Sequence, residues 1–268
     1  MVRERAGQGS NATIRAVGIA CSRALADRLK GALDLLLPRT CVSCECPVPA
    51  GDDGIVCGLC WSRLPLLPAP QCSRCGHPLR SGVCQWCPLL PPFVRAARSV
   101  CWMPVEPASG IVHALKYGGW IRVADGMGER MSRLAWPRDV VEERAALVPV
   151  PLAPARVRER GYNQSERLSQ ALASRWRIPV LAGVVVRSRA TRSQTELTPE
   201  QRVGNVAGSF QLVERERDSI GGTHILLVDD VVTTAATLNE CARVLYAGGA
   251  RIISYVTFGR ARASGDRL

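Results

Sequence analysis

Apolar positions along the chain alternate between short runs typical of strands and spacings typical of helices. The short runs predict strands over 98–103, 145–151, 184–187, 224–229 and 251–258. The helical spacings predict helices over 107–117, 123–136, 164–176 and 236–247. Strands that alternate with helices are typical of an α/β fold with a mainly parallel sheet and helices on both faces. Ligands bind such sheets at the carboxyl ends of the strands.

The first third of the chain has a different pattern. Apolar residues at helical spacing predict an amphipathic helix over 12–37 that stops at Pro38. Between 38 and 90 this periodicity is absent and Gly and Pro are frequent, so this segment cannot build a hydrophobic core of its own. We therefore divide the chain into a tail and helix over 1–37, a small module over 38–90 and an α/β domain over 91–268.

Eight of the 12 cysteines lie in the small module as four Cys-x-x-Cys pairs. Two such turns place four thiolates at the corners of a tetrahedron, which makes a closed structural zinc site. The sequence therefore predicts two structural Zn²⁺ ions. Cys46 and His77, each two residues beyond a paired cysteine, are the alternative ligands. The predicted ligands are Cys41, Cys44, Cys57 and Cys60 for one ion, and Cys72, Cys75, Cys84 and Cys87 for the other.

Disulfides are the competing explanation of dense cysteines, but they require an oxidising compartment and a secretory signal. Charged residues interrupt the segment over 12–37, which leaves no apolar run of signal-peptide length. No other stretch is long and apolar enough to insert into a membrane. These features favour a cytoplasmic protein. The formal net charge of +12 falls to about +8 once two four-thiolate zinc sites are included, and a basic chain suggests a polyanionic partner.

The segment over 225–237 carries the strongest functional pattern. An apolar strand runs into Asp229 and Asp230, and a hydroxyl-rich turn then leads into a helix. Adjacent carboxylates accept hydrogen bonds from vicinal hydroxyls, while N–H groups and hydroxyls at a helix N-terminus bind phosphate. An N-capped helix is the alternative, but it explains only one acid. The pattern indicates a ribose 5-phosphate site at Asp229, Asp230, Thr233, Thr234, Ala235, Ala236 and Thr237.

These thirteen residues resemble the 5-phosphoribosyl-1-pyrophosphate (PRPP) signature of type I phosphoribosyltransferases. The segments over 35–41, 113–118, 148–152, 158–165 and 191–205 resemble those of ComF proteins, so the likeness covers about residues 30–260. The resemblance implies a phosphoribosyltransferase-like domain behind a double zinc ribbon. It also implies PRPP as ligand, with Mg²⁺, and an association with DNA uptake in competence. Similar proteins usually carry Gly where this chain has Ala235, and a Cβ there crowds the phosphate or demands an unusual φ.

In the proteins that this chain resembles, two loops meet the pyrophosphate of PRPP. The arginines in the corresponding places are Arg156, Arg158, Arg160, Arg189 and Arg192. As a set they form a candidate clamp, although a solvated surface explains any one of them equally well. Catalysis would use this clamp and Mg²⁺ to stabilise departing pyrophosphate, with Asp229 and Asp230 as the catalytic acids on the ribose.

None of the three histidines is a convincing general base. His77 is interpreted as ribbon surface, His113 as one face of a helix and His224 as the edge of a strand.

Three functions stay open at this point. The first is a phosphoribosyltransferase that acts on a nitrogenous acceptor. The second is a single-stranded-DNA-binding protein with PRPP as regulator, in which Trp61, Trp86 and Tyr162 stack on bases unless they pack in the core. The third is a scaffold whose ribbons dock a partner such as the DNA-uptake machinery.

Overall fold

The computed structural model describes residues 39–48, 54–79, 84, 86–188 and 208–262. The helix predicted over 12–37 lies outside these residues, as do Arg189 and Arg192. The central sheet consists of four parallel strands, β1 (Val94–Met103), β2 (Arg144–Pro149), β5 (His224–Val232) and β6 (Ile252–Ala261). Their order across the sheet is β1-β6-β5-β2. A separate antiparallel pair consists of β3 (Val185–Arg187) and β4 (Phe210–Leu212).

Eight helices are described. They are α1 (Gly58–Ser62), α2 (Ala108–Tyr117), α3 (Val123–Ser132), α4 (Arg138–Glu143), α5 (Pro154–Arg160), α6 (Gln164–Trp176), α7 (Arg217–Ile220) and α8 (Ala236–Ala247). Short 3₁₀ turns lie at Cys87–Leu89 and Glu214–Glu216. The predicted α/β class with a parallel sheet is confirmed. Within the described ranges, no helix has the length and apolar character needed to cross a membrane.

Alternation along the strands divides the interior into two cores. In β5, Leu226 and Val228 point to the face covered by α2, α3 and α6, whereas Ile225 and Leu227 point to the face covered by α8. All four residues have no exposed surface. A strand buried on both faces reads as a continuous apolar run, which is why β5 is so easily recognised in the sequence.

The structure differs from the predicted elements in several places, and three of the differences lie near the carboxyl ends of the strands. β3 does not join the parallel sheet but pairs antiparallel with β4. β5 runs on to Val232, so Asp229 and Asp230 lie within the strand. The pairing of Val232 with Arg260 shows that the ladder with β6 continues past the acids. α5 was not predicted because only one of its residues, Val157, is a large apolar residue, and it is exposed.

The zinc-ribbon module docks one ribbon on each face of the sheet. Cys60 and Leu64 belong to the core under α2 and α3, while Cys75 and Trp86 belong to the core under α8. The segment over 65–67 between the ribbons runs along the outer edge of β1. There Trp102 N donates to Pro65 O at 2.8 Å, and Leu67 N donates to Val100 O at 3.3 Å. The module thus obtains its hydrophobic core from the α/β domain, and in return it covers an edge strand.

Two histidines differ from their predicted environments. His77 is buried rather than on the ribbon surface, because its ring stacks on Trp86 and meets Trp102 edge-on. His224 begins β5, an inner strand of the sheet, and is only 1% exposed; it contacts Ser254 Oγ through Nε2 at 2.9 Å. His113 lies on α2 as predicted.

Candidate functional site

The structure gathers the eight paired cysteines into two groups of four. Within each group the sulfur atoms all lie within 4.8 Å of one another. Four thiolates with no further ligand are the donor set of structural zinc. Cys46 and His77 belong to neither group. The groups are Cys41, Cys44, Cys57 and Cys60, and Cys72, Cys75, Cys84 and Cys87, as the spacing predicts.

Two buried arginines connect the second zinc group to the sheet. Arg260, at the end of β6, is 2% exposed; its guanidinium donates to Cys75 O at 2.5 Å and lies 5.0 Å from the centre of the Trp86 ring. Arg98 of β1 donates to Ser73 O at 2.8 Å. Four thiolates and one Zn²⁺ carry a net charge of about −2, so these guanidinium groups compensate charge that burial would otherwise make costly.

A cleft of about 430 Å³ opens at the carboxyl ends of the parallel strands. Its walls come from the end of α2, the segment after β2, the start of α6, the end of β5 and the start of α8. This is the position at which parallel α/β sheets bind ligands. Of the predicted ribose and phosphate residues, those in the lining are Asp229, Asp230, Thr233, Ala235, Ala236 and Thr237, whereas Thr234 is outside it.

The two acids have different partners. Asp229 Oδ1 accepts hydrogen bonds from Ser165 Oγ at 2.7 Å and from Asp230 N at 2.9 Å. Asp230 is 3% exposed; its Oδ1 accepts from Gln164 Nε2 at 3.2 Å, and its Oδ2 pairs with Lys116 Nζ. Lys116 thus compensates the negative charge of the deeper acid, while Asp229 faces the cleft.

Burial and the neighbouring Asp230 raise the pKa of Asp229 to about 7, against the hydrogen bond from Ser165. Burial acts to lower the pKa of Lys116, but the attraction of Asp230 and Asp229 outweighs it and raises the pKa above its ordinary value. Lys116 therefore keeps its charge at neutral pH. A further cation or a set of hydroxyl donors near Asp229 would favour its ionised form.

The hydroxyl-rich turn ends at the first residue of α8. Ala235 has φ 60° and ψ 5°, in the left-handed region, and its carbonyl accepts from Asn239 N at 2.8 Å. The resemblance placed glycine here, and the positive φ is the conformation that glycine adopts without strain. This turn presents the N-terminus of a 12-residue helix to the cleft, together with the side chains of Thr233 and Thr237.

The structure separates the predicted arginines. Arg156 and Arg160 lie one turn apart on α5 and both line the cleft. Arg158 lies between them on the other side of the helix, is exposed and is not part of the lining. Arg187, which the sequence did not single out, lines the cleft at the end of β3.

Comparison with known proteins agrees with this architecture. The double zinc ribbon domain model matches residues 32–89, and the phosphoribosyl transferase domain model matches residues 158–267. The DNA utilization protein YhgH of Escherichia coli (strain K12) is 33% identical over 232 residues, which are 82% of this chain and 96% of that protein. Competence protein F of Haemophilus influenzae is 40% identical over 119 residues, 44% of this chain and 50% of that protein. The chain belongs to the ComF family. Competence protein ComFC of Bacillus subtilis is more distant, with 26% identity over 204 residues, 74% of this chain and 80% of that protein.

Sequence reasoning missed the residues of this ComF protein that surround the acids. Lys116, Gln164 and Ser165 come from α2 and α6, far from Asp229 and Asp230 in the sequence. One signal was available. The chain has 35 basic residues but only two lysines, and one of them lies in the segment over 113–118 that resembles other ComF proteins.

The aromatic residues considered for base stacking are largely used in packing. Trp86 is 8% exposed and Tyr162 is 7% exposed, with the Tyr162 hydroxyl donating to Leu115 O. Trp61 packs against the core, and the guanidinium of Arg130 lies 3.7 Å from the centre of its ring. The packing alternative therefore holds for Trp86 and Tyr162.

Proposed function

We propose that this ComF protein binds PRPP in the cleft and transfers its phosphoribosyl group to a nitrogenous acceptor. The observation that carries the proposal is the convergence of two acids and a hydroxyl-rich helix N-terminus on one cleft at the carboxyl end of β5. A diol beside a phosphate is the chemical group that matches this pair of features. The phosphoribosyltransferase-like domain of the family supports it.

Each part of the ligand then has residues of suitable chemistry. The turn containing Thr233 and Thr237 would hold the 5-phosphate, and Asp229 and Asp230 would accept hydrogen bonds from the ribose hydroxyls. Arg156 and Arg160 would face the diphosphate.

The donor set fits Mg²⁺, because carboxylate oxygens and phosphates are its preferred ligands. Asp229 would hold it together with the ligand, and bound Mg²⁺ would neutralise charge on the diphosphate as it departs. The four-thiolate zinc sites need reduced cysteines, which supports a cytoplasmic location. Residues 38–90 then act as a structural module for the transferase-like domain over 91–268.

Changing Asp229→Asn and Asp230→Asn together tests the proposal. The double variant loses at least two charge-assisted hydrogen bonds to the ligand, so the affinity for PRPP should fall by about 100-fold or more. Calorimetric titration with PRPP and Mg²⁺ measures this. Asp218→Asn, which changes an exposed acid of α7, is the matched control. Unchanged affinity in the double variant, or no binding by the unmodified protein, would refute PRPP binding in this cleft. If PRPP binds, the release of pyrophosphate in the presence of different bases and amines tests the transfer of the phosphoribosyl group.

Binding of single-stranded DNA is a second candidate, favoured by a specific observation. Tyr117 and Trp120 are 59% and 49% exposed, and Tyr117 lines the cleft with the Arg160 guanidinium 5.2 Å from its ring centre. Exposed aromatic rings beside arginines can stack on bases. Oligonucleotide affinity should then fall log-linearly with salt and weaken in Tyr117→Ala with Trp120→Ala. Binding that is absent at low salt, or unaffected by these changes, would exclude this candidate.

A further inference from the structure

Lys116 is the cation closest to the paired acids among the described contacts. Its ammonium group, in the last turn of α2, pairs with Asp230 Oδ2. The Asp230 side chain is 4% exposed, whereas that of Lys116 is 24% exposed and lines the cleft. The Lys116 side chain is therefore held by a buried acid while it forms part of the cleft wall.

A chain of polar contacts runs from Lys116 to the arginine side of the cleft. Asp230 Oδ1 accepts from Gln164 Nε2 at 3.2 Å, and Gln164 Oε1 accepts from Arg160 Nη1. Lys116 and Arg160 thus lie at the two ends of one connected set of side chains. Both cations approach the same acid, one directly and one through Gln164.

The phosphate turn approaches the acids from the opposite side of the sheet. Lys116 belongs to α2, which packs on the face with α3 and α6, while the turn leads into α8 on the other face. The cleft therefore presents two separate anion-binding regions with Asp229 and Asp230 between them. A ligand that fills both regions needs an anionic group at each end of a diol.

We propose that Lys116 binds the diphosphate of the ligand and so selects PRPP over ribose 5-phosphate. This inference rests on the proposed function. Ribose 5-phosphate fills the turn and the acids alone, whereas PRPP also places a diphosphate beside Lys116 and Arg160. An ammonium group has three donors, so Lys116 can keep its pairing with Asp230 while it donates to a diphosphate oxygen.

The experiment compares two ligands in the variant Lys116→Met. Dissociation constants for PRPP and for ribose 5-phosphate are measured by calorimetry at one Mg²⁺ concentration, in the full chain. We expect the affinity for PRPP to fall about tenfold more than that for ribose 5-phosphate, the size of one charge-assisted hydrogen bond. The ratio of the two constants is decisive, because a loss of folded protein weakens both apparent affinities equally.

Arg138→Met is the matched control. It also removes one positive charge, but Arg138 is 90% exposed and pairs with Glu142. It lies on α4, which leads into the amino end of β2, the end opposite the cleft. In this variant, the ratio of the dissociation constants for PRPP and ribose 5-phosphate should equal that of the unmodified protein. If Lys116→Met unfolds, Lys116→Met with Asp230→Asn is compared with Asp230→Asn alone, because the pair leaves no buried carboxylate without its cation.

The outcomes distinguish the inference from the function on which it rests. Equal losses for both ligands would show that Lys116 only supports Asp230, and no loss for either would show that it is not involved; both overturn the inference. If the unmodified protein binds neither ligand, the proposed function itself is wrong. A selective loss of PRPP affinity, also seen as weaker competition by inorganic pyrophosphate, supports the assignment.

Discussion

The two ends of β5 place titratable groups in opposite situations. His224 begins the strand, is 1% exposed, contacts Ser254 and lies 3.9 Å from Glu143. Asp229 and Asp230 lie toward the other end of the same strand, at a cleft and beside Lys116. Burial lowers the pKa of His224 to about 4, and burial with a neighbouring charge raises the pKa of Asp229 to about 7.

The polar group at one end of β5 is enclosed by the protein, whereas those at the other end are placed where a ligand can bind. At the amino end, burial keeps a single histidine neutral, and its Nε2 contacts the Ser254 hydroxyl within the protein. At the carboxyl end, two acids and a cation are held close together at a surface that a ligand can reach. Charges that are concentrated and only partly compensated indicate a site that a ligand completes. Four pairs of positions, on β5 and elsewhere in the fold, sharpen this contrast in order of decreasing expected effect.

The largest expected effect on the free energy of unfolding concerns two arginines at opposite ends of β6, Arg251 just before the strand and Arg260 near its carboxyl end. Arg260→Met removes a buried guanidinium that compensates the second zinc site, and should lower the free energy of unfolding by about 3–5 kcal/mol. Arg251→Met removes a half-exposed guanidinium that donates to Glu143 at 2.7 Å, and should lower it by about 1 kcal/mol or less. Urea titration measures both. Similar losses of stability in Arg260→Met and Arg251→Met would contradict the conclusion that Arg260 compensates buried charge at the second zinc site.

The next effect separates the two acids in the protein without ligand. Asp230→Asn leaves Lys116 facing a neutral amide, and should lower the free energy of unfolding by about 2–3 kcal/mol. Asp229→Asn should leave it unchanged or raise it, because an amide oxygen still accepts from Ser165 while the unfavourable charge disappears. Thermal and urea unfolding of both variants decide this. A destabilised Asp229→Asn would show that Asp229 has a structural role.

The acids and the zinc ligands were predicted from the sequence because their signals are local. A Cys-x-x-Cys spacing fixes which sulfurs are neighbours, and an apolar strand followed by acids, hydroxyls and a helix lies within thirteen residues. Lys116 was missed because only the packing of α2 on the sheet brings it to Asp230. β3 was assigned to the wrong sheet because three residues carry no pattern that identifies a partner strand. Local chemistry was predictable, and contacts between distant segments were not.

The two ends of β5 should make the free energy of unfolding depend on pH in opposite directions. The unfolded state binds more protons at His224 than the native state does, so His224 destabilises the protein as pH falls from about 7. By about pH 5 the loss should reach about 2 kcal/mol relative to His224→Gln. Asp229 binds more protons in the native state than in the unfolded state, so the stabilisation that it contributes at low pH is lost as pH rises toward 7. Urea unfolding of unmodified protein, His224→Gln and Asp229→Asn across this range isolates each contribution. Parallel curves for His224→Gln and the unmodified protein would contradict a neutral buried His224.

The smallest effect concerns two residues that adopt a left-handed backbone without being glycine. Arg177, at the end of α6, has φ 55° and is exposed, so Arg177→Gly removes strain and should raise the free energy of unfolding by about 0.5–1 kcal/mol. Ala235, before α8, has φ 60°, but it is 4% exposed and its methyl group packs in the core under α8.

Ala235→Gly relieves similar strain but loses a buried methyl group and makes the unfolded chain more flexible, so its stability should change by less than about 0.5 kcal/mol. The turn already has the backbone conformation that glycine would adopt. We therefore expect the affinity for PRPP to change by less than about threefold, a difference of about 0.6 kcal/mol. Calorimetric titration of Ala235→Gly checks this. Binding tightened tenfold would instead show that the Ala235 methyl group occupies space that the phosphate needs.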